Sequence, residues 1–207
     1  MSHPNTVPDD EGGPAAVGGP SYQYKAAVIG APWELKLKQT GLEWAIGRHA
    51  GLLRYEHIRK VRLSFRPVSM QPHRFLTEIW SADAPKIQIA STTWRSVMEQ
   101  ARQDAPYAAF IKDLHRRIAA AGAPATFERG IPRAVYVVGV LLFSCLAIAL
   151  VGLTLRALQL GEWPAAVMVG GFLALFAWQG GSYFRRNRPG GYRPDALPTD
   201  VLPRSKN

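Results

Sequence analysis

The spacing of hydrophobic residues changes twice along this chain. Between residues 33 and 90, apolar residues alternate with polar ones in short runs, as Leu35 and Leu37 do with Lys36 and Lys38. Such alternation is typical of a half-buried strand, because successive side chains point to opposite faces. It predicts six strands, which are separated by turns and lie over residues 33–38, 42–46, 52–55, 58–65, 75–80 and 86–90.

A helical period replaces the alternation after residue 103. Asp104 can cap a helix, and Pro106 suits its first turn. Apolar residues then recur on one helix face until Gly122 and Pro124, and they are Tyr107, Phe110, Ile111, Leu114 and Ile118. A single apolar stripe predicts a helix docked on the strands. Residues 92–102 fit either a short helix or a strand with a loop.

Two stretches of 22 residues, 134–155 and 163–184, contain no charged side chain. A helix of about 20 apolar residues covers the roughly 30 Å of hydrocarbon in a bilayer. The sequence therefore predicts a two-helix transmembrane hairpin with a short loop. Small residues recur every four positions in the second stretch, at Ala166, Gly170 and Ala174, and this spacing predicts the face on which the helices pack.

The distribution of charge predicts how the hairpin is oriented. The chain of 207 residues carries a net charge of +10. Four arginines lie close to the outer ends of the two stretches: Arg133, Arg185, Arg186 and Arg188. The connecting loop offers only Arg156, opposed by Glu162. Since positive residues stay on the cytoplasmic side, both termini are predicted to be cytoplasmic and the loop to lie outside.

Composition divides the rest of the chain. Residues 1–21 are rich in Pro and Gly and predict a disordered leader, so the folded domain is expected over residues 22–122. Residues 123–133 are expected to form a linker. The tail, 185–207, has Leu197, Val201 and Leu202 between prolines, which suits an extended segment docked on a partner or on the domain itself; disorder is the alternative.

The segments 42–48 (LEWAIGR) and 53–61 (LRYEHIRKV) resemble the opening of bacterial pleckstrin-homology-like domains. The helix over 107–114 (YAAFIKDL) is similar to the closing helix of that family. The resemblance covers about residues 30–121 and implies an α+β fold, in which a small antiparallel barrel or sandwich is closed by an amphipathic helix. It also implies a binding or assembly module without catalytic residues.

One group of basic residues stands out in the predicted domain. Lys60, Arg62 and Arg66 alternate onto one face of the predicted strand over 58–65 and its end. We expect this face to contact anionic lipid or an acidic partner, because cations near a bilayer are attracted to anionic headgroups. A solvated outer face of a sheet is the alternative interpretation.

Motifs of catalysis and cofactor binding are missing from the sequence. The five histidines and the single Cys145 show no metal-ligand spacing. No phosphate-binding Gly-rich loop and no nucleophile elbow occurs. We therefore expect no enzyme activity, cofactor or metal, and no nucleic-acid partner.

These features together predict a membrane-anchored binding or assembly module at the bacterial inner membrane. Its partners are expected to be membrane lipids, together with another protein or further copies of the chain. An accessory subunit of a larger membrane complex, with the hairpin and tail as assembly surfaces, is the main alternative. A small ligand bound in the mouth of the barrel is a third.

Overall fold

The computed structural model describes residues 19–67, 74–96 and 99–203. Four antiparallel strands form the first sheet, in chain order: β1 Ser21–Tyr24, β2 Trp33–Leu37, β3 Gly41–Ile46 and β4 His49–Arg54. The predicted alternation is observed in β2, since Leu35 and Leu37 are buried and Lys36 is exposed. A 3-10 turn, Tyr55–His57, leads out of this sheet.

The second sheet begins with three antiparallel strands, β5 Ile58–Phe65, β6 Phe75–Ser81 and β7 Ile87–Ala90. The six predicted strands are thus confirmed, although β1 is an additional one. Residues 92–102 contain a two-stranded hairpin, β8 Thr92–Trp94 and β9 Gln100–Arg102, which fits the strand interpretation of this stretch.

Helix α1, Asp104–Ala120, confirms the predicted helix and closes the core. Its buried side chains include Tyr107, Phe110, Ile111, Leu114 and Ile118. They pack with the inward residues of both sheets in one hydrophobic cluster. The architecture is therefore α+β, with antiparallel sheets on which one helix is docked.

Of the barrel and the sandwich that the sequence left open, the closed barrel is wrong, because the two sheets meet without a closing ladder in the described residues. Tyrosines of β1 join the two sheets instead. The Tyr22 hydroxyl donates to Ala90 O at 2.7 Å, and the Tyr24 hydroxyl donates to Gln88 O. Side-chain bonds to β7 replace the backbone pairing that would have closed the barrel.

The stretch expected to be a linker, 123–133, contains a strand. In it β10, Thr126–Arg129, pairs in parallel with β5, so that Phe127 lies opposite Val61. The Gly130 amide then donates to Leu63 O at 2.8 Å. The chain therefore enters the next helix from within the sheet and not from a flexible connection.

Two long helices follow, α2 Arg133–Gln159 and α3 Trp163–Arg186, and they pack against each other. Both are long and apolar enough to cross a membrane. No residue of α2 is buried against the described chain, and Ala166 alone is buried in α3. The two helices therefore expose apolar surface, which in other proteins marks sites that contact a membrane or a partner.

The tail returns to the domain after α3. Strand β11, Gly190–Gly191, pairs with β10 and completes the second sheet in the order β11-β10-β5-β6-β7. Val201 and Leu202 are buried in the hydrophobic cluster of the domain. Of the interpretations open for the tail, docking on the domain itself is the one observed for residues 187–203.

Asn187 locks the end of α3 to β5. Its side chain is fully buried, accepts from the Phe65 amide at 3.0 Å and donates to Phe65 O at 2.7 Å. The amide of Asn187 thereby takes the place of a neighbouring strand at that point of β5. The Phe65 end of β5 consequently lies next to the Arg186 end of α3.

Candidate functional site

The predicted basic residues lie on the outer face of the second sheet, where acidic residues meet them. Lys60 Nζ lies 3.1 Å and Arg62 Nη2 lies 2.6 Å from the Glu128 carboxylate. Parallel pairing places Glu128 of β10 directly beside Arg62 of β5. The Arg62 hydrogen bond, followed by that of Lys60, lowers the pKa of the Glu128 carboxyl, so it stays ionised as their counter-charge.

Arg66, the third predicted residue, contacts a different carboxylate. Its guanidinium lies 3.4 Å from Glu78 of β6. The Glu78 side chain is 2% exposed and also lies 2.5 Å from Lys86 Nζ. A carboxylate this buried requires its cationic partners, since an unpaired buried charge is costly. Arg66 and Lys86 are therefore partly committed to the fold.

Trp80 organises the same outer face, and the sequence analysis did not single it out. The Arg62 guanidinium lies over its ring, 5.2 Å from the centroid. The ammonium groups of Lys86 and Lys60 lie 4.8 Å and 5.8 Å from the same centroid. Three cations over one indole form cation–π contacts of about 0.5–1 kcal/mol each at exposed sites. The alternation of residues in β6 puts Trp80 on the same face as Glu78, and this pattern could have identified Trp80 from the sequence.

The net positive charge of this outer face is smaller than the sequence suggested. Four cations, Lys60, Arg62, Arg66 and Lys86, share two carboxylates. About half of the positive charge is thus compensated within the protein. Anion attraction by this face is reduced accordingly, because paired exposed charges contribute little to long-range attraction.

The arginines predicted to flank the membrane are not compensated in this way. Arg133 begins α2, Arg185 and Arg186 end α3, and Arg188 follows. None of the four forms a salt bridge with the described residues; Arg186 instead lies over the Phe65 ring at 4.8 Å. The start of α2 and the end of α3 therefore carry positive charge that no described carboxylate compensates.

The small residues predicted to pack the hairpin divide into two groups. Ala166 is buried, and Gly170 faces α2, since a Cβ on it would lie 3.6 Å from Thr154. Ala174 is exposed. Four-residue steps advance by about 400° around a helix, so the face drifts by about 40° at each step and has left the contact at Ala174.

Aromatic residues continue the packing towards the domain. Phe143 stacks on Phe176 at 4.6 Å between ring centroids, and Gly180 lets the same Phe143 ring approach its backbone. The neighbouring Gly181 faces open space. The close approach of the two helices therefore depends on Gly180 and not on Gly181.

We expect Gly180→Val to loosen the hairpin and Gly181→Val to leave it intact. A side chain at position 180 collides with the Phe143 ring, and overpacking of this kind costs about 1–3 kcal/mol. Thermal unfolding of the full chain in mild detergent measures the difference, with Gly181→Val as the matched control. Equal melting temperatures for the two variants would contradict the assigned contact.

A buried histidine joins α1 to the tail. His115 Nδ1 donates to Ile111 O at 2.7 Å, and the Tyr192 hydroxyl donates to Nε2 at 2.8 Å. Burial lowers the pKa of His115 to about 4 from its ordinary 6.5. The imidazole is therefore neutral in the folded chain, where its ring packs at a tilt against those of Phe127 and Tyr192.

This pKa predicts how stability depends on pH. The unfolded chain binds a proton at His115 below about pH 6.5, whereas the folded chain does not until about pH 4. The contribution is full above pH 6.5 and is lost as the pH falls towards 4, by about 2 kcal/mol between pH 7 and 5. We expect His115→Leu to flatten this slope and His57→Gln to keep it, as measured by denaturant unfolding. An unchanged slope in His115→Leu would refute the assignment.

Other chemistry-bearing groups are dispersed. Among the described residues no cluster of three or more His, Cys, Asp or Glu could hold a metal ion. Ser81 and then His57 hydrogen bond to Asp83 and lower the pKa of its carboxyl, which is exposed and stabilises the turn after β6. Cys145 is exposed on α2. No family model, curated protein or solved structure matches the chain.

Proposed function

We propose that this chain is a membrane-anchored, non-enzymatic binding module whose pleckstrin-homology-like domain lies at the cytoplasmic face of a bacterial inner membrane. The observation that carries the proposal is the junction: two exposed apolar helices end in unpaired arginines directly beneath the domain. Antiparallel strands followed by a docked helix agree with the order that the resemblance implies.

The anchoring holds the domain in one orientation. β10 enters α2 from the sheet, and Asn187 ties the end of α3 back to β5. With both helix ends fixed, the Phe65 end of β5 faces the headgroups. Arginines there gain about 1 kcal/mol each from an anionic surface.

In this orientation, some residues of the basic outer face lie near the membrane surface and others lie away from it. Lys60 lies five residues before Phe65, about 16 Å along the strand. Attraction to a charged surface decays over about 8 Å at physiological salt. Arg66 is thus the residue placed to contact lipid, whereas Lys60 and Arg62, with Trp80, are placed to contact an acidic protein.

Cysteine labelling tests the anchoring and its orientation. In a Cys145→Ala background, Glu162→Cys lies in the loop between the helices and Asp195→Cys lies in the tail. A maleimide that cannot cross the inner membrane should label position 162 in intact cells and position 195 only after lysis. The reverse pattern, or release of the chain by alkaline carbonate, would overturn the proposal.

Partner contact is tested on the full chain in mild detergent. Native mass measurement should show the chain as a monomer or homo-oligomer, to which an acidic protein binds less after Lys60→Gln and Arg62→Gln. Arg54→Gln, an exposed arginine of β4, is the matched control. A discrete heteromeric complex that survives both substitutions would instead favour the accessory subunit of a larger assembly.

A further inference from the structure

A cleft lies between the domain, the end of α3 and the returning tail. Its volume is about 890 Å³. Arg102 at the end of β9, Ala105 at the start of α1, Arg185 and Arg186 at the end of α3, and Leu202 of the tail are among its lining residues. The cleft thus lies at the level where α3 ends.

The positive charge in the cleft exceeds the negative charge. Arg185 forms no ion pair with the described residues, and the Arg186 guanidinium lies over the Phe65 ring, 4.8 Å from its centroid. The acidic lining residues are each engaged, Asp104 by Arg102 and Asp200 by Arg129 at 3.5 Å. Arg185 and Arg186 thus lie in one concave surface without a counter-charge from the part of the chain that the structure describes.

Helix α1 adds to this potential. Its N-terminus, at Asp104 and Ala105, opens onto the cleft, and no side chain caps it at Gln103. An α-helix carries roughly half a positive charge at its N-terminus. Arginines that converge with a helix N-terminus form an environment suited to phosphate.

One acceptor in the cleft has no donor. Asp104 Oδ1 is buried and receives no hydrogen bond from the described residues, although Oδ2 of the same carboxylate is bound by Arg102. A hydroxyl group beside the phosphate would satisfy it. The apolar part of the lining, Phe75, Leu202 and Pro203, offers contact for carbon atoms next to these polar groups.

We propose that this cleft binds the phosphate headgroup of an anionic glycerophospholipid, with phosphate on Arg102 and Arg185 and a headgroup hydroxyl on Asp104. The inference rests on the proposed membrane anchoring, which puts the mouth of the cleft at headgroup level. It is distinct from the basic outer face of β5, since neither Lys60 nor Arg62 lines the cleft. Lipid bound there connects α1, α3 and the tail.

The experiment is lipid titration of the purified full chain in mild detergent, read by native mass spectrometry. Phosphatidylglycerol is compared with phosphatidylcholine of the same acyl chains. We expect phosphatidylglycerol to be retained preferentially, and Arg185→Gln to weaken its retention about tenfold, the effect of losing one charge-assisted hydrogen bond. Asp200→Asn should strengthen retention by removing a negative charge from the lining.

Matched variants separate the cleft from general surface attraction. Arg188→Gln removes the same charge three residues away, on an exposed side chain outside the cleft. Arg102 lies far in sequence from the ends of α2 and α3, so we expect Arg102→Gln to leave the membrane orientation unchanged. The proposal requires Arg185→Gln and Arg102→Gln each to weaken retention about tenfold, and Arg188→Gln, which loses only general surface attraction, to weaken it clearly less.

Three outcomes would overturn the inference. They are equal retention of the two lipids, equal loss in Arg185→Gln and Arg188→Gln, and displacement of the lipid by inorganic phosphate at millimolar concentration, which would assign the cleft to free phosphate. Failure of the membrane anchoring is recognised separately, because it appears in carbonate extraction and cysteine labelling and not in the comparison of lipids.

Discussion

Replacing Asn187 with leucine is expected to release the domain from the end of α3. Leucine fills a similar volume but removes the two hydrogen bonds that Asn187 makes with the Phe65 amide and carbonyl at 3.0 and 2.7 Å. Each buried backbone group that loses its hydrogen bond costs about 1–3 kcal/mol, so the junction should lose about 2–6 kcal/mol. Such a loss is large beside the total stability of a small domain.

Hydrogen exchange at the Phe65 amide measures this directly. Exchange in Asn187→Leu should be faster by about thirtyfold or more, since 1.4 kcal/mol corresponds to a factor of ten. Asn187→Asp provides a graded control, because a carboxylate still accepts from the amide but no longer donates to the carbonyl. Unchanged protection of Phe65 in Asn187→Leu would show that the junction is held by other contacts.

Placing a carboxylate at Val201 is expected to detach the tail. Val201 is fully buried in the core of the domain, and an unpaired charge there is too costly to retain. The tail should leave its site, so the loss is limited to the free energy of its docking, about 3 kcal/mol for the apolar side chains it buries.

Limited proteolysis and thermal unfolding of the full chain read out this second change. Val201→Asp should expose the tail to protease and lower the melting temperature. Ala196→Asp adds the same charge to an exposed position of the same segment and should do neither. Equal behaviour of the two variants would mean that the tail contributes no stability to the domain.

Local patterns in the sequence predicted most elements of the fold. Alternation located β2 and β5, because one face of each strand meets the core, and helical spacing located α1. β10 was missed for a physical reason. Its four residues lie between Pro124 and Gly130, and they become a strand only through parallel pairing with β5, far away in sequence.

The candidate site was predictable only in part for the same reason. The alternation placed Lys60 and Arg62 on one face, but Glu128, which compensates them, arrives with β10. Docking of the tail likewise depends on a site formed by distant residues. Sequence patterns report which side chains share an element, whereas counter-charges and docking sites depend on how elements meet.

The order of elements along the chain has a consequence for biogenesis. β11, Val201 and Leu202 complete the sheet and core of the domain, yet they follow both apolar helices. At translation speeds of about 5–20 residues per second, several seconds separate the synthesis of β10 from that of these last residues. The domain therefore cannot be completed until both apolar helices have been synthesised.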